Sequence, residues 1–371
     1  MFSRSRRSDR APDSDREHKQ TMNALAAEIS RWEQHGDLIA IAMVVGAKRS
    51  APRPLGTKMA INEHGEIAGG VSGGCVEGAV VQIAERVMHR GEPELTTFGI
   101  ADDEAWGIGL PCGGEIDVWI ERYSTSRFLE IDRTGGRAVE VTVLEGEDAG
   151  KKLLLEADGS SSGTLGSAAA DAEALRDAGE LIWGERSVRR AALFHDVAAP
   201  PPRLIAVGAI DIAMALCRLA HAAGWRTYVV DPRSRFASRS RFPDAAGVIA
   251  AWPAEAFAAL GGIDAATSIV ALSHDPKIDD AALTLALRSP ARFIGAMGSR
   301  RAAETRRERL EAAGLTEHEL DRISAPVGLD LGAESGEETA LSILAEVIAA
   351  RHDRQGGRLA DAAGRIHQVA A

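Results

Sequence analysis

Apolar and polar positions follow two different rhythms along this chain, one before residue 200 and one after it. Asn23 to Gly36 carries apolar residues at helical spacing, and Leu38 to Val45 (LIAIAMVV) is an unbroken apolar run short enough to predict a buried strand. Thr57 to Asn62 alternates like a strand, and His64-Gly65 turns it back. Val76, Val80, Ile83, Ala84 and Val87 recur at helical spacing, so a helix is expected to start near Cys75 and end near Gly91. Glu94 to Phe98 and Glu115 to Glu121 (EIDVWIE) alternate as further strands. This first module is α+β in character. Val139 to Leu144 and Lys151 to Ala157 are short strand candidates, and Ser160 to Gly163 is a turn. The stretch 135–197 reads as the outer portion of the first domain or a connecting subdomain.

Pro200-Pro201-Pro202 marks the best boundary, because three prolines make a stiff linker without backbone donors. Beyond it, strands at Arg203–Val207, Trp225–Val230, Ser268–Leu272 and Arg292–Met297 alternate with helices at Gly208–Ala223, Asp279–Leu287 and from Gly298-Ser299-Arg300 to Ala313. Ser335 and Glu338 form a capping box that opens a last helix, through about Arg351. Strands alternating with helices predict a doubly wound parallel sheet. The expected architecture is α/β: a C-terminal Rossmann-like doubly wound parallel sheet plus an N-terminal α+β domain. Its expected boundaries are a disordered tail at 1–21, domains at 22–199 and 203–354, and a loose tail at 355–371.

Composition narrows the partners. With 43 basic against 54 acidic residues the net charge is −11, which argues against nucleic acid. No apolar run is long enough to span a membrane, and Arg6-Arg7 is not followed by the apolar region of an export signal. Three cysteines (Cys75, Cys112, Cys217) offer neither a disulfide framework nor zinc spacing. Cys217 sits in an apolar-periodic segment and is expected in the core. A cytoplasmic protein with reduced thiols follows.

The candidate chemistry centres on Gly69 to Gly78 (GGVSGGCVEG). Glycines ahead of a helix let backbone approach a ligand, and free amides at the positive helix end favour an anion. Ser72, Gly73 and Gly74 are the expected cradle. A thiol there, Cys75, gains thiolate character. Glu77 lies in the first helical turn, where the dipole favours a carboxylate in any case. Pro111-Cys112-Gly113-Gly114 repeats the pattern of a cysteine on a glycine turn. Thiolates are soft donors, suited to a soft metal or to carrying sulfur, which makes Cys75 and Cys112 candidate metal ligands. Lys48, Arg49 and Arg53 follow a strand end and suit a phosphate or carboxylate, or simply solvent.

In the second module, Asp231 follows Gly208 by 23 residues, near the place of a ribose-binding acid in a dinucleotide fold. The loop, however, reads Gly208-Ala209-Ile210-Asp211. Ile210 obstructs the approach of a pyrophosphate, and Asp211, a good N-cap, would repel one. These residues argue against NAD(P). Asp231, Arg233, His274, Asp275, Ser299 and Arg300 sit where strand ends meet in such a sheet, the usual ligand edge.

Taken together, these motifs resemble the xanthine dehydrogenase accessory protein family (XdhC/CoxI family). The matching stretches are Gly56-Thr57-Lys58-Met59, Gly69 to Glu77, Cys112 to Glu115, Val230 to Arg233, Arg241-Phe242-Pro243, Ser273 to Pro276, Ile294 to Arg301 and Val327 to Asp330. The resemblance implies a maturation factor that transiently binds molybdenum cofactor (molybdopterin), protects it during sulfuration and hands it to a xanthine dehydrogenase-type molybdoenzyme. It also implies a cysteine desulfurase as partner and a homodimer. Two departures stand out. The family's Gly-Ala-Gly-His is Gly208-Ala209-Ile210-Asp211 here, and Gly336 stands where a proline usually opens the last helix. An NAD(P)-dependent oxidoreductase using Asp231 is the alternative, and a ligand-free scaffold a third reading.

Overall fold

A computed structural model describes residues 22–48, 53–99 and 114–361. The expected tail at 1–21 and the last ten residues of the expected loose tail lie outside the described residues. The chain divides into two compact units at the Ala199–Pro200 junction.

The first unit opens with helix α1 (Met22–His35), strands β1 (Ile39–Lys48), β2 (Lys58–Asn62) and β3 (Ile67–Gly69), helix α2 (Glu77–Arg90), and strands β4 (Glu94–Phe98) and β5 (Glu115–Arg122). These strands form an antiparallel sheet in the order β3-β2-β1-β5-β4. The apolar run of β1 is explained by its central place. Ala40, Ala42 and Val44 face α2, where they pack with Val80, Ala84 and Val87. Ile39 and Ile41 face α1, against Leu25, Ile29 and Trp32. Successive side chains of one strand thus serve two different layers.

Helix α3 (Arg127–Arg133) leads into β6 (Ala138–Val143), β7 (Lys152–Glu156), β8 (Ser161–Gly163), α4 (Ala168–Leu181), β9 (Val188–Arg190) and β10 (Leu193–Ala198). Here the stretch read as a connecting subdomain is a second five-stranded antiparallel sheet, β8-β7-β6-β10-β9, with α4 on its core. Met43, Val45 and Trp119 of the first sheet pack with Leu144 and Phe194 of the second. A buried ion pair, Lys58 Nζ to Asp196 Oδ2, joins the sheets as well.

The second unit contains β11 (Arg203–Val207), α5 (Asp211–Ala222), β12 (Arg226–Val230), β13 (Gly247–Ile249), α6 (Pro253–Ala259), β14 (Thr267–Ala271), α7 (Pro276–Leu287), β15 (Phe293–Ala296), α8 (Arg300–Ala312), α9 (Glu317–Leu320), β16 (Ile323–Ser324) and α10 (Gly336–Arg351). All pairings are parallel, in the order β13-β12-β11-β14-β15-β16. That is the doubly wound Rossmann order, reversing between β11 and β14. One face of the sheet packs with α5 and α10, the other with α6, α7 and α8. Cys217 is buried in the first of these cores, and burial pushes its thiol up. Ser335 and Glu338 make the capping box of α10.

Candidate functional site

The glycine stretch before α2 is an anion cradle, but the anion is the chain's own. Gly73 and Gly74 take φ of +83° and +111°, conformations that L side chains rarely adopt. They turn successive amides inward. Val71 N, Ser72 N and Gly73 N donate to Glu77 Oε1 at 3.1, 2.8 and 3.0 Å. Gly74 N, Val76 N and Ser72 Oγ donate to Glu77 Oε2 at 2.9, 3.2 and 2.6 Å. Ser72 Oγ in turn accepts from the amides of Cys75 and Val76, both at 3.0 Å. The amides of Ser72, Gly73 and Gly74, read from the sequence as a free cradle, are thus engaged by Glu77 in this structure. A carboxylate offers about four lone-pair positions, and these six donors saturate it, so the amides of Val71, Ser72, Gly73, Gly74 and Val76 are already engaged. Glu77 likewise faces its own loop rather than a guest. Partial burial works against its ionisation, but the bonds from the Ser72 hydroxyl and the loop amides outweigh that, and its carboxyl lies below the usual range.

Cys75 sits between this clasp and α2. Its thiol is partly exposed and leans on the core under α2 that includes Val76 and Val80. The loop thus presents one soft donor at the surface of a fixed backbone. Cys112 and Gly113 lie outside the described residues.

In the second unit the predicted residues share one edge. β12, β11, β14 and β15 are neighbours running in parallel, so their carboxyl ends align. Gly208 leaves β11 at φ +111°, and a Cβ there would stand 2.6 Å from Ser273 N, because the loops after β11 and β14 touch. Asp231, at the end of β12, is fully buried. Its carboxylate accepts from Ala209 N (2.8 Å), Arg233 N (2.9 Å), Arg233 Nε (2.9 Å) and Arg233 Nη2 (2.7 Å). Burial would raise this carboxyl, but the Arg233 guanidinium and the two amides hold it below its ordinary value. Asp231 braces the Gly208 loop through these bonds. The expected N-cap at Asp211 is corrected: Ile210 is the cap residue of α5, and Asp211 is its first helical residue, exposed and paired with Arg241 at 3.0 Å.

Arg233 is only partly exposed and stacks on the ring of Phe236 with its guanidinium carbon 4.8 Å from the centroid. His274 is exposed, and its backbone adopts φ +60° while its amide donates to Asp279. Asp275 caps α7 through Lys277 N, and Ser299 caps α8 through Ala302 N. Arg300 opens α8 and is exposed.

Two supporting residues, named in the sequence analysis without a role, act as braces. Asp279 is buried and accepts from Ser273 N, Ser273 Oγ and His274 N, which shapes the loop after β14. Arg241 donates to the carbonyls of Ala209 and Phe236 and so ties the Gly208 loop from outside. Both stand among other polar residues, where a charge alone does not distinguish a brace from a surface residue. Among the described residues no helix is long and apolar enough to cross a membrane.

Comparison with known proteins gives matches in both units. The family model described as "XdhC Rossmann domain" matches residues 204–347, and that described as "XdhC and CoxI family" matches residues 32–99. The chain is 28% identical to a Bacillus subtilis (strain 168) protein named as a probable xanthine dehydrogenase subunit, over 84% of this chain and 92% of that one. It is also 28% identical to the molybdenum cofactor insertion chaperone PaoD of Escherichia coli (strain K12), over 84% of this chain and 83% of that one. A crystal structure described as a xanthine dehydrogenase from Bacillus halodurans superposes with a TM-score of 0.63 at 24% identity, covering 92% of this chain and 98% of that chain. That likeness carries the fold.

Proposed function

The chain belongs to the XdhC and CoxI family, and from that premise we propose that it is a molybdenum cofactor insertion chaperone for a xanthine dehydrogenase-type molybdoenzyme. The cofactor is its cargo rather than its catalyst. The observation that carries the reading is Cys75: a half-buried cysteine, on a loop whose backbone is fixed from within, at the start of a helix. A sulfur donor suits a cargo that is soft at its metal and sulfur. Cys112 is the second sulfur of the proposal. In this reading the two cysteines hold the metal or relay sulfur while a cysteine desulfurase sulfurates the cofactor in the cytoplasm, and a homodimer delivers it. Arg233, His274, Asp275, Ser299 and Arg300 form a second set of candidate contacts, on the sheet edge where ligands of this fold bind. The similarity to PaoD supports the choice of cargo. The filled surroundings of Asp231 favour no dinucleotide reading.

The test is to purify the full chain from molybdenum-sufficient cells, oxidise any bound pterin and measure its fluorescence. The wild type is expected to carry a pterin signal, and the Cys75→Ser/Cys112→Ser double variant to lose at least about tenfold of it. A wild type without pterin overturns the carrier reading. An equal signal in the double variant overturns the role of the cysteines.

A further inference from the structure

We infer that Glu77 is a positioning residue, an internal clasp whose carboxylate fixes the loop that presents Cys75. This rests on the reading that Cys75 is the group that meets the cargo. The geometry exceeds what a helix start requires. An ordinary capping box reaches back three residues to one amide. Glu77 is the first residue of α2 and reaches back six residues, gathering five amides and a hydroxyl on its two oxygens. No side chain caps the helix at Val76 itself, so the turn depends on the clasp. Cys75 is tied to it by a single step, since its amide donates to Ser72 Oγ, which donates to Glu77 Oε2. The backbone of the thiol is thereby held two hydrogen bonds away from the carboxylate, through Ser72 Oγ.

The clasp also specifies its occupant. Both oxygens face donors only, so a glutamine there sets its own N–H groups against Gly74 N and Val76 N or, in the other orientation, against Val71 N, Ser72 N and Gly73 N. Gly70 allows the approach, since a Cβ there would lie 3.2 Å from Glu77 Oε1. An emptied clasp has the donors and the size to take a small free carboxylate such as formate, which no other explanation of Glu77 predicts.

The experiment uses the full chain without any cofactor. Hydrogen exchange is followed at the amides of residues 71–76, together with the rate at which iodoacetamide modifies Cys75, in wild type, Glu77→Gln and Glu77→Ala. Exchange in this segment is expected to rise at least about tenfold in Glu77→Gln, with the interior of α2 unchanged, and Cys75 alkylation to change with it. Formate at about 50 mM is expected to restore protection in Glu77→Ala and to leave the wild type unaffected, in keeping with a saturated native carboxylate. Unchanged exchange in Glu77→Gln, or a uniform rise along α2, overturns the clasp, as does a Glu77→Ala loop indifferent to formate. Should Glu77→Ala not fold, the Glu77→Gln readings decide. Pterin content of Glu77→Gln separates the two readings. Wild-type pterin content with a freely exchanging loop removes the positioning role and leaves the carrier standing. A wild type without pterin but with an intact clasp removes the carrier alone.

Discussion

Two glycine loops that enter helices, Gly69–Val76 before α2 and Gly208–Ile210 before α5, have the same outward signature and opposite outcomes. Each turns backbone N–H toward a carboxylate that the chain itself supplies, several amides toward Glu77 in one and the Ala209 amide alone toward Asp231 in the other. In the first loop the carboxylate comes from the helix it precedes, and a half-buried cysteine follows the two exposed glycines. In the second it comes from the neighbouring strand, and the residues at the helix start are Ile210, packed on the core, and Asp211, turned to solvent. Glycine-rich loops are good anion holders. The comparison teaches that an acid within reach is the first anion such a loop holds, and that what remains exposed decides the chemistry on offer.

The glycines themselves separate the two loops most sharply. Gly208 is required twice, by its φ of +111° and by the contact with Ser273, whose N, Cα and Cβ would lie 2.6, 2.8 and 2.9 Å from an added Cβ. Gly73 is required only by its φ of +83°, with nothing within 4 Å of the added atom. Gly208→Ala is therefore expected to cost about 3–4 kcal/mol, conformational strain plus overpacking against backbone, and Gly73→Ala about 1 kcal/mol. Urea unfolding of the full chain measures both. Equal costs would break the contrast, since the close approach at Gly208 would then carry no weight.

The two acids give the next largest effect. Asp231→Asn keeps the shape but takes the charge from a buried group that holds Arg233 and the Ala209 amide, for an expected loss of about 2 kcal/mol at neutral pH. The direction with pH follows from its depressed carboxyl. The stabilisation is fully present above the unfolded value of about 3.9 and is lost as pH falls through the lower folded value. The wild type is thus expected to lose stability on acidification below about pH 4 more steeply than Asp231→Asn. Denaturation midpoints across that range check it, and parallel acid limbs for the two proteins would remove Asp231 from the account.

Much of this fold was legible in the chain because burial leaves a rhythm. The run LIAIAMVV is a two-faced central strand, and the strand–helix alternation after Pro202 is the doubly wound sheet. Strand β10 was illegible for a physical reason. Its middle is His195-Asp196, both buried, and Asp196 is made tolerable there by Lys58 and Ser187, partners far away or across a turn. No local pattern announces such pairing. The cradle was half legible: glycines and a helix start pointed to an anion, but residue types alone do not say that Gly73 and Gly74 adopt the positive φ angles that aim the amides at Glu77. For Asp231 the spacing from Gly208 was visible, and the side chain that closes it, Arg233, lay only two residues on. Proximity in sequence could not say whether that arginine faced the acid or a guest.

The smallest expected effect is the most specific. Ile210→Gly restores the spelling of a dinucleotide fingerprint at its second glycine, and if one side chain alone spoils the second loop, cofactor binding should return. The geometry argues otherwise. Asp231 is closed by four hydrogen bonds, the Ala209 carbonyl is held by Arg241, and Asp211 keeps its negative charge at the start of α5. A phosphate would have to displace all three arrangements at once, against like charge at the helix end. NADH fluorescence titration of Ile210→Gly to about 1 mM is therefore expected to show no saturable signal, the same as wild type. Saturation in the variant would mean that the loop differs from a nucleotide site by a single side chain, and the carboxylate that fills it would be a replaceable occupant rather than part of its construction.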